Sequence, residues 1–146
     1  NPENKIPISG YVGRDSEIIA IIHNNNDLVA CPNDFNASDI KAIRIASQAM
    51  EPVFYEGWIL YYSTNANITF EPREGLQVPY NKGKIEENFS AFIGKPCIVK
   101  LSDNRLMLRT LKRGSKADLY NLISYNCDDI IDAKVEWAAK IVFIKT

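Results

Sequence analysis

Short stretches of alternating apolar and polar residues, separated by turn-forming residues, run through most of this chain. An alternation with a period of two is typical of β-strands that bury one face, and β-branched and aromatic residues favour the same conformation. Candidate strands lie at residues 6–12, 17–22, 27–31, 40–46, 57–63, 97–101, 105–111, 119–123 and 134–144. The pattern therefore predicts a mainly β fold, an open barrel or sandwich of short strands.

Turn signals and weak helical signals complete the predicted fold. Three asparagines at residues 24–26 separate two candidate strands, and Ser-Asp-Asn at residues 102–104 predicts a hairpin between two later ones. One short helical turn is expected at residues 50–55 and another at residues 86–92. Residues 65–84, which contain several Asn, Pro and Gly residues, are expected to form an inserted surface loop or an extra hairpin.

Composition and charge are those of one ordinary globular domain, here taken as residues 1–146. A chain of 146 residues, 46% hydrophobic and 24% charged, is long enough to bury about 70% of the surface that it exposes when unfolded. A domain with a formal net charge of -1 lacks the strongly positive surface with which proteins bind nucleic acid directly. The longest apolar runs are too short to span a bilayer, so no membrane association is expected.

Metal ligation, cofactor binding and disulfide formation are not expected from the sequence. The three cysteines, Cys31, Cys97 and Cys127, have no CxxC spacing, and His23 is the only histidine. An odd number of dispersed cysteines indicates reduced thiols and a cytoplasmic protein.

One segment carries a specific motif. An apolar strand is followed by Ser-Gln-Ala-Met-Glu-Pro at residues 47–52, and Gly57 precedes a second apolar strand. The order and spacing of Met50, Glu51, Pro52 and Gly57 resemble the nucleophile motif of the self-cleaving LexA, UmuD and lambda-repressor family. In that family the pattern is Gly-Asp-Ser-Met-x-Pro, then Asp-Gly-Asp and a strand.

Further segments agree with the same family. Residues 103–112 and 122–126 are similar to its tight turn, its apolar-Lys-x-Leu strand and its Leu-x-Ser-x-Asn hairpin, and residues 6–12 are similar to its opening Pro-x-x-Gly-x-Val strand. These matches cover nearly the whole chain, with residues 65–84 as an insertion. The resemblance implies a LexA- or signal-peptidase-like fold and the regulatory and dimerisation domain of a bacterial or prophage repressor.

The departures from the family pattern decide the prediction about activity. The family's nucleophilic serine falls on Ala49, and its lysine general base falls on Arg109. The dyad needs a neutral amine to accept the serine proton, whereas a guanidinium stays protonated in proteins. The family's cleavage site between small residues falls on Arg14 and Asp15. We therefore expect a peptidase-like domain that is not an enzyme.

The same resemblance implies which molecules this chain binds. Two copies are expected to pair through the last strand, with Trp137, Ile141 and Phe143 as contact candidates, because an exposed apolar edge otherwise invites aggregation. The first residue is Asn1 and not Met, so a helix-turn-helix domain that binds operator DNA is expected to precede it. An antirepressor protein is a further candidate partner.

Two other interpretations stay open at this point. The chain is an active self-cleaving peptidase if Ala49 is an engineered replacement of the serine, although Arg109 and the charged residues Arg14 and Asp15 argue against it. Alternatively, the chain senses a ligand in its vestigial cleft. An ion pair between Arg109 and either Glu51 or another carboxylate across the cleft is a further expectation.

Overall fold

The computed structural model describes residues 4–21, 27–64, 68–73, 76–81 and 91–146. Short strands make up most of the described chain, so the prediction of a mainly β fold is confirmed. Two 3-10 helices lie at Arg14–Ser16 and Ala37–Asp39. The strands are β1 Lys5–Val12, β2 Ile18–Ala20, β3 Leu28–Ala30, β4 Ile40–Ile45, β5 Ile59–Ser63, β6 Ile68–Arg73, β7 Leu76–Asn81, β8 Pro96–Leu101, β9 Leu106–Arg113, β10 Tyr120–Ile123, β11 Ile130–Ala133 and β12 Val135–Lys145.

The strands follow one continuous path in the order β11-β10-β9-β8-β12-β5-β4-β1-β2. Strand β12 lies in the middle of this path. It pairs antiparallel with β8 through residues 135–140 and antiparallel with β5 through residues 141–145. Strand β12 therefore joins the amino-terminal strands to the carboxy-terminal strands, and within the described residues the sheet is not closed into a barrel.

Buried apolar side chains form three clusters along the sheet. Val99 and Leu122 belong to the cluster of the carboxy-terminal strands, and Ile8 belongs to that of β1, β3, β4 and β5. The middle cluster combines Ile43 of β4 with Ile98 of β8. Each fully buried side chain of this size contributes roughly 1.5–3 kcal/mol, so the middle cluster fixes the two groups of strands against each other.

The candidate strands are found with ends that differ by a residue or two. Of the two alternatives for residues 65–84, the extra hairpin is confirmed, because β6 pairs with β7 from residue 68 to residue 81. The pattern missed β11, a short edge strand that contains Asp132 at a φ of 56°. The asparagines at residues 24–26 lie outside the described residues.

The expected turns have mixed outcomes. The turn at residues 50–55 is confirmed, since the amides of Val53 and Phe54 donate to the Met50 carbonyl at 2.8 and 2.9 Å. The hairpin between β8 and β9 is also confirmed, with Asn104 at a φ of 75° in its turn. Of the turn expected at residues 86–92, residues 86–90 lie outside the described residues. None of the helices in the described ranges is both long enough and apolar enough to traverse a bilayer.

Candidate functional site

The loop after β4 brings the motif around Ala49 against the loop after β10. Ala49 and Met50 are buried, with 7% and 1% of their surfaces exposed. The Ser124 hydroxyl donates to the Ala49 carbonyl oxygen at 2.6 Å, and the Asn126 amide donates to the same oxygen at 3.0 Å. The Asn126 side chain also donates to the Gln48 carbonyl at 2.8 Å. The two segments that matched the family pattern, residues 47–52 and 122–126, are therefore in contact.

The other motif residues shape the backbone of this loop. The peptide bond between Glu51 and Pro52 is cis. Gly57 has a φ of 93°, in the left-handed region that favours glycine, and its amide donates to the Ile45 carbonyl at 2.8 Å. Ser47 accepts a hydrogen bond from the Ala49 amide at 3.4 Å, so its hydroxyl belongs to the local turn.

Arg109 lies in β9 and extends into the protein, where 1% of its surface is exposed. Its Nη1 donates to the carbonyl oxygen of Asp128 at 2.7 Å and to that of Leu122 at 3.4 Å. Its Nη2 donates to the Asp15 carbonyl oxygen at 2.6 Å, and its Nε has no hydrogen-bond partner. Carbonyl dipoles therefore replace a carboxylate as the partners of this buried charge.

The ion pair expected between Arg109 and Glu51 is wrong. Within the described part of the chain, salt bridges join Arg44 to Asp27 and Arg105 to Asp103, and none involves Arg109. Because a guanidinium carries five N–H donors in a fixed fork, it can bind several carbonyl oxygens from different segments at once.

Cys127 connects Arg109 to the backbone of Ala49. Its Sγ lies 3.6 Å from Arg109 Nη2 and 3.0 Å from Ser124 Oγ. Contacts thus run from the guanidinium through the thiol and the hydroxyl to the Ala49 carbonyl. The sequence analysis did not identify Ser124 or Cys127 as site residues. Ser124 is the serine of the matched Leu-x-Ser-x-Asn pattern, which is the one signal that could have identified it.

The segment that matched the cleavage site lies on the other side of Arg109. Asp15 and Ser16 both have a φ of 57°, in the left-handed region that L-residues rarely adopt. Ser16 is fully buried, and its hydroxyl donates at 2.7 Å to the Asp15 carbonyl, the oxygen that also accepts from Arg109. Arg14 is exposed. The structure thus brings into direct contact the two positions to which the resemblance assigns the cleavage site and the general base.

Most hydrogen bonds at this site are donated to peptide carbonyl oxygens. Ala49 offers a methyl group, and Arg109 offers donors and no acceptor. No group of three or more His, Cys, Asp or Glu side chains could hold a metal ion among the residues described, and His23 lies outside them. The expected absence of a metal and of a cofactor stays a prediction.

The three candidate dimer residues lie in β12 but differ in exposure. Trp137 and Ile141 are partly buried and pack against the middle cluster. Phe143 is 43% exposed and contacts the Tyr61 ring edge to face, with ring centroids 5.6 Å apart. Its neighbour Ile144 is 42% exposed. Because adjacent residues of a strand face opposite sides of the sheet, Phe143 and Ile144 lie on different faces and line different cavities.

Several cavities lie away from Ala49 and Arg109. Three cavities of about 340, 360 and 580 Å³ are lined by described residues, and neither Ala49 nor Arg109 lines any of them. The largest of the three lies beside Cys31, Tyr61 and Phe143.

No known family model matches this chain, and no curated protein is significantly similar to it. The case for a function therefore depends on the sequence motifs and on the contacts of Ala49, Arg109 and Asp15.

Proposed function

We propose that this chain is the regulatory and dimerisation domain of a bacterial or prophage helix-turn-helix repressor, peptidase-like in arrangement and without serine–lysine self-cleavage. The observation that carries the proposal is the hydrogen bond from Arg109 to the Asp15 carbonyl at 2.6 Å. The sequence motifs assign these residues to the base position and to the cleavage site of one family. A direct contact between two positions 94 residues apart supports that assignment.

The same contact explains why the proposed domain does not cleave itself. A general base must accept a proton, and Arg109 instead donates hydrogen bonds through both of its terminal nitrogens. Loss of the serine nucleophile alone lowers the rate by about a million-fold in a comparable serine hydrolase. With Ala49 and Arg109 both changed, no single neighbouring residue restores the dyad.

Pairing of two copies gives the proposed domain its role in repression. The exposed Phe143 side chain, beside Tyr61 on one face of β12, provides an apolar surface that a second copy can cover. A dimer places two DNA-binding domains at the spacing of two operator half-sites and raises their effective concentration. In this proposal a separate helix-turn-helix domain contacts the DNA. The regulatory domain acts in the cytoplasm.

Sedimentation of the chain at micromolar concentration tests the pairing. We expect a dimer for the unchanged chain and a monomer for Phe143→Lys. Ile131→Lys is the matched control, because Ile131 is 60% exposed but lies in β11, at one end of the sheet path, whereas β12 lies in its middle. A strictly monomeric parent chain, or equal loss of pairing in both variants, contradicts the proposed interface.

Restoring the family residues tests the proposed inactivity. Ala49→Ser, Arg109→Lys and the double variant are incubated at alkaline pH, and fragments are measured by mass spectrometry. Ala49→Ser is expected to stay intact, because Arg109 cannot take the serine proton. Fragments from this variant contradict the mechanism and favour the alternative of an active peptidase whose serine was replaced. The codon for residue 49 in the native gene distinguishes a natural alanine from an engineered one.

A further inference from the structure

We infer that residues 13–17 form a latch: a turn held closed by Arg109, in which the bond between Arg14 and Asp15 is cut by another protease only after the turn opens. This inference goes beyond the proposed function and does not depend on dimerisation. It follows from the contacts of one carbonyl oxygen, from the conformation of two residues, and from the exposure of Arg14.

The hydrogen bonds that keep the latch closed meet at the Asp15 carbonyl oxygen. This oxygen accepts hydrogen bonds from Arg109 Nη2 at 2.6 Å and from Ser16 Oγ at 2.7 Å. The guanidinium is itself fixed by the Asp128 carbonyl at 2.7 Å. When Asp15 leaves, the guanidinium of Arg109 loses its shortest hydrogen bond, which is unfavourable for a charged group held within the protein. Arg109 therefore holds the turn against the body of the protein.

The opening force comes from the backbone of the same turn. Asp15 and Ser16 are consecutive non-glycine residues with a φ of 57°. Each such residue is disfavoured by roughly ten- to a hundredfold relative to ordinary conformations, and it persists only where its surroundings impose it. Release of Asp15 lets both residues return to common backbone conformations. Local strain thus acts against the hydrogen bonds that hold the turn, and the bond from Arg109 is the charged one among them.

The closed turn does not fit a protease. The Ser16 amide donates to the Gly13 carbonyl and the Glu17 amide donates to the Arg14 carbonyl, both at 3.1 Å, so the backbone around Arg14 is folded back on itself. A trypsin-like protease binds several substrate residues in an extended conformation and places a basic side chain in its acidic specificity pocket. The exposed Arg14 side chain can enter such a pocket, and opening of the turn allows the extended conformation. Water then adds to the Arg14 carbonyl carbon and the bond to the Asp15 nitrogen breaks, which leaves a carboxylate on Arg14 and an amine on Asp15.

Limited digestion of the full chain with trypsin tests the latch, with the rate of each cut followed by mass spectrometry. We expect Arg109→Met to raise the rate of cutting after Arg14 by about ten- to a hundredfold, the effect of losing one hydrogen bond to a charged group. Arg105→Met is the matched control, because Arg105 is an exposed arginine that precedes the same strand and pairs with Asp103. The cut after Lys116, which lies in an exposed turn, provides the internal reference rate in the same digests.

The outcomes separate a latch from a merely weakened protein. Faster cutting after Arg14 without a matching change after Lys116 supports the latch. Equal acceleration at both sites, or no acceleration at Arg14, overturns it. If Arg109→Met does not fold, Asp15→Gly provides the test, because glycine keeps the backbone hydrogen bonds and removes the strain at that position. The amide hydrogens of Ser16 and Glu17 are then expected to exchange several-fold more slowly than in the parent chain, and unchanged or faster exchange overturns the latch.

Discussion

A buried lysine can lose its proton and a buried arginine does not, so the two side chains need different surroundings. Arg109 is surrounded by carbonyl oxygens of Asp15, Leu122 and Asp128 and by the Cys127 sulfur. Such a set of acceptors suits a permanent cation and would not help to deprotonate an amine. At the residue scale, the site is therefore adapted to the guanidinium that it contains.

Removal of the Ser124 hydroxyl should weaken the contact between the two loops of the site. Ser124→Ala loses the 2.6 Å hydrogen bond to the Ala49 carbonyl, although the Asn126 amide still donates to that oxygen. We expect the free energy of unfolding in urea to fall by about 1–2 kcal/mol. Ser115→Ala removes an exposed hydroxyl bonded to Asp132 and should change it by less than about 0.5 kcal/mol. Equal losses in both variants would argue against a structural role for the buried hydroxyl.

Cys97 should contribute to stability in a pH-dependent way. Burial is the main cause that raises the pKa of its thiol from 9.0 to about 12, against the smaller opposing effects of Lys140 and Lys95. Because the folded pKa is the higher one, this contribution is complete below pH 9 and is lost as the pH rises from 9 toward 12. Cys97→Ala should therefore make the alkaline fall in stability less steep, by up to about 1.4 kcal/mol per pH unit. Denaturant unfolding at pH 8, 9 and 10 measures it, and parallel curves for the two proteins would contradict the expectation.

At the scale of elements, the alternating pattern was sufficient to predict strands that bury one face. Strand β4 was predicted almost to its ends although it buries both faces, with Ile40 and Ala42 in one cluster and Ile43 and Ile45 in another. Strand β11 was not predicted, because its short sequence includes a left-handed Asp132. An edge strand with such a residue has too little periodic signal to be separated from a turn.

Site residues that belong to a sequence motif could be predicted. Site residues that are defined only by tertiary contacts could not. Ala49, Arg109 and Arg14 with Asp15 were assigned from order and spacing along the chain. Cys127 was not, because its role depends on the distance of its sulfur from Arg109, 18 residues away, and no spacing rule specifies that distance. The left-handed turn at Asp15 was equally hidden, because neither Asp15 nor Ser16 is the glycine that usually marks this conformation.

Strand β1 depends on a glycine where it crosses between two neighbours. A methyl group at Gly10 would lie 2.8 Å from the Ile19 carbonyl oxygen of β2, whereas one at Gly13 would meet nothing closer than 3.8 Å. We therefore expect Gly10→Ala to lower the free energy of unfolding by about 1–3 kcal/mol, because backbone must move to accept it. Gly13→Ala should change stability by less than about 1 kcal/mol. Thermal or urea unfolding distinguishes them, and a harmless Gly10→Ala would show that β2 can shift freely.

At the scale of the whole molecule, the three clusters share one sheet, and β12 contributes to more than one of them. Ala138 belongs to the cluster of the carboxy-terminal strands, and Ala139 to the middle cluster that also contains β4 and β5 residues. Adjacent residues of one strand thus pack into different parts of the core. This continuity couples the two groups of strands during unfolding.

The described chain should therefore unfold as one unit. Tryptophan fluorescence reports the middle cluster, where Trp58 and Trp137 are partly buried, and far-ultraviolet circular dichroism reports all of the strands. We expect the two signals to give one urea midpoint, as single domains of this size usually do. The single-tryptophan variants Trp58→Phe and Trp137→Phe should each preserve this agreement. Separate midpoints would mean that the amino-terminal strands unfold independently.

The central place of β12 also has a consequence for synthesis on the ribosome. Strand β5 emerges from the exit tunnel long before residues 135–145, yet those residues are its partner on one side. Translation proceeds at about 5–20 residues per second, so the nascent sheet keeps an unpaired apolar edge for on the order of several seconds. During that interval the unpaired edge of β5 can associate with other chains. Chaperones that cover this edge would prevent such association until β12 is synthesised.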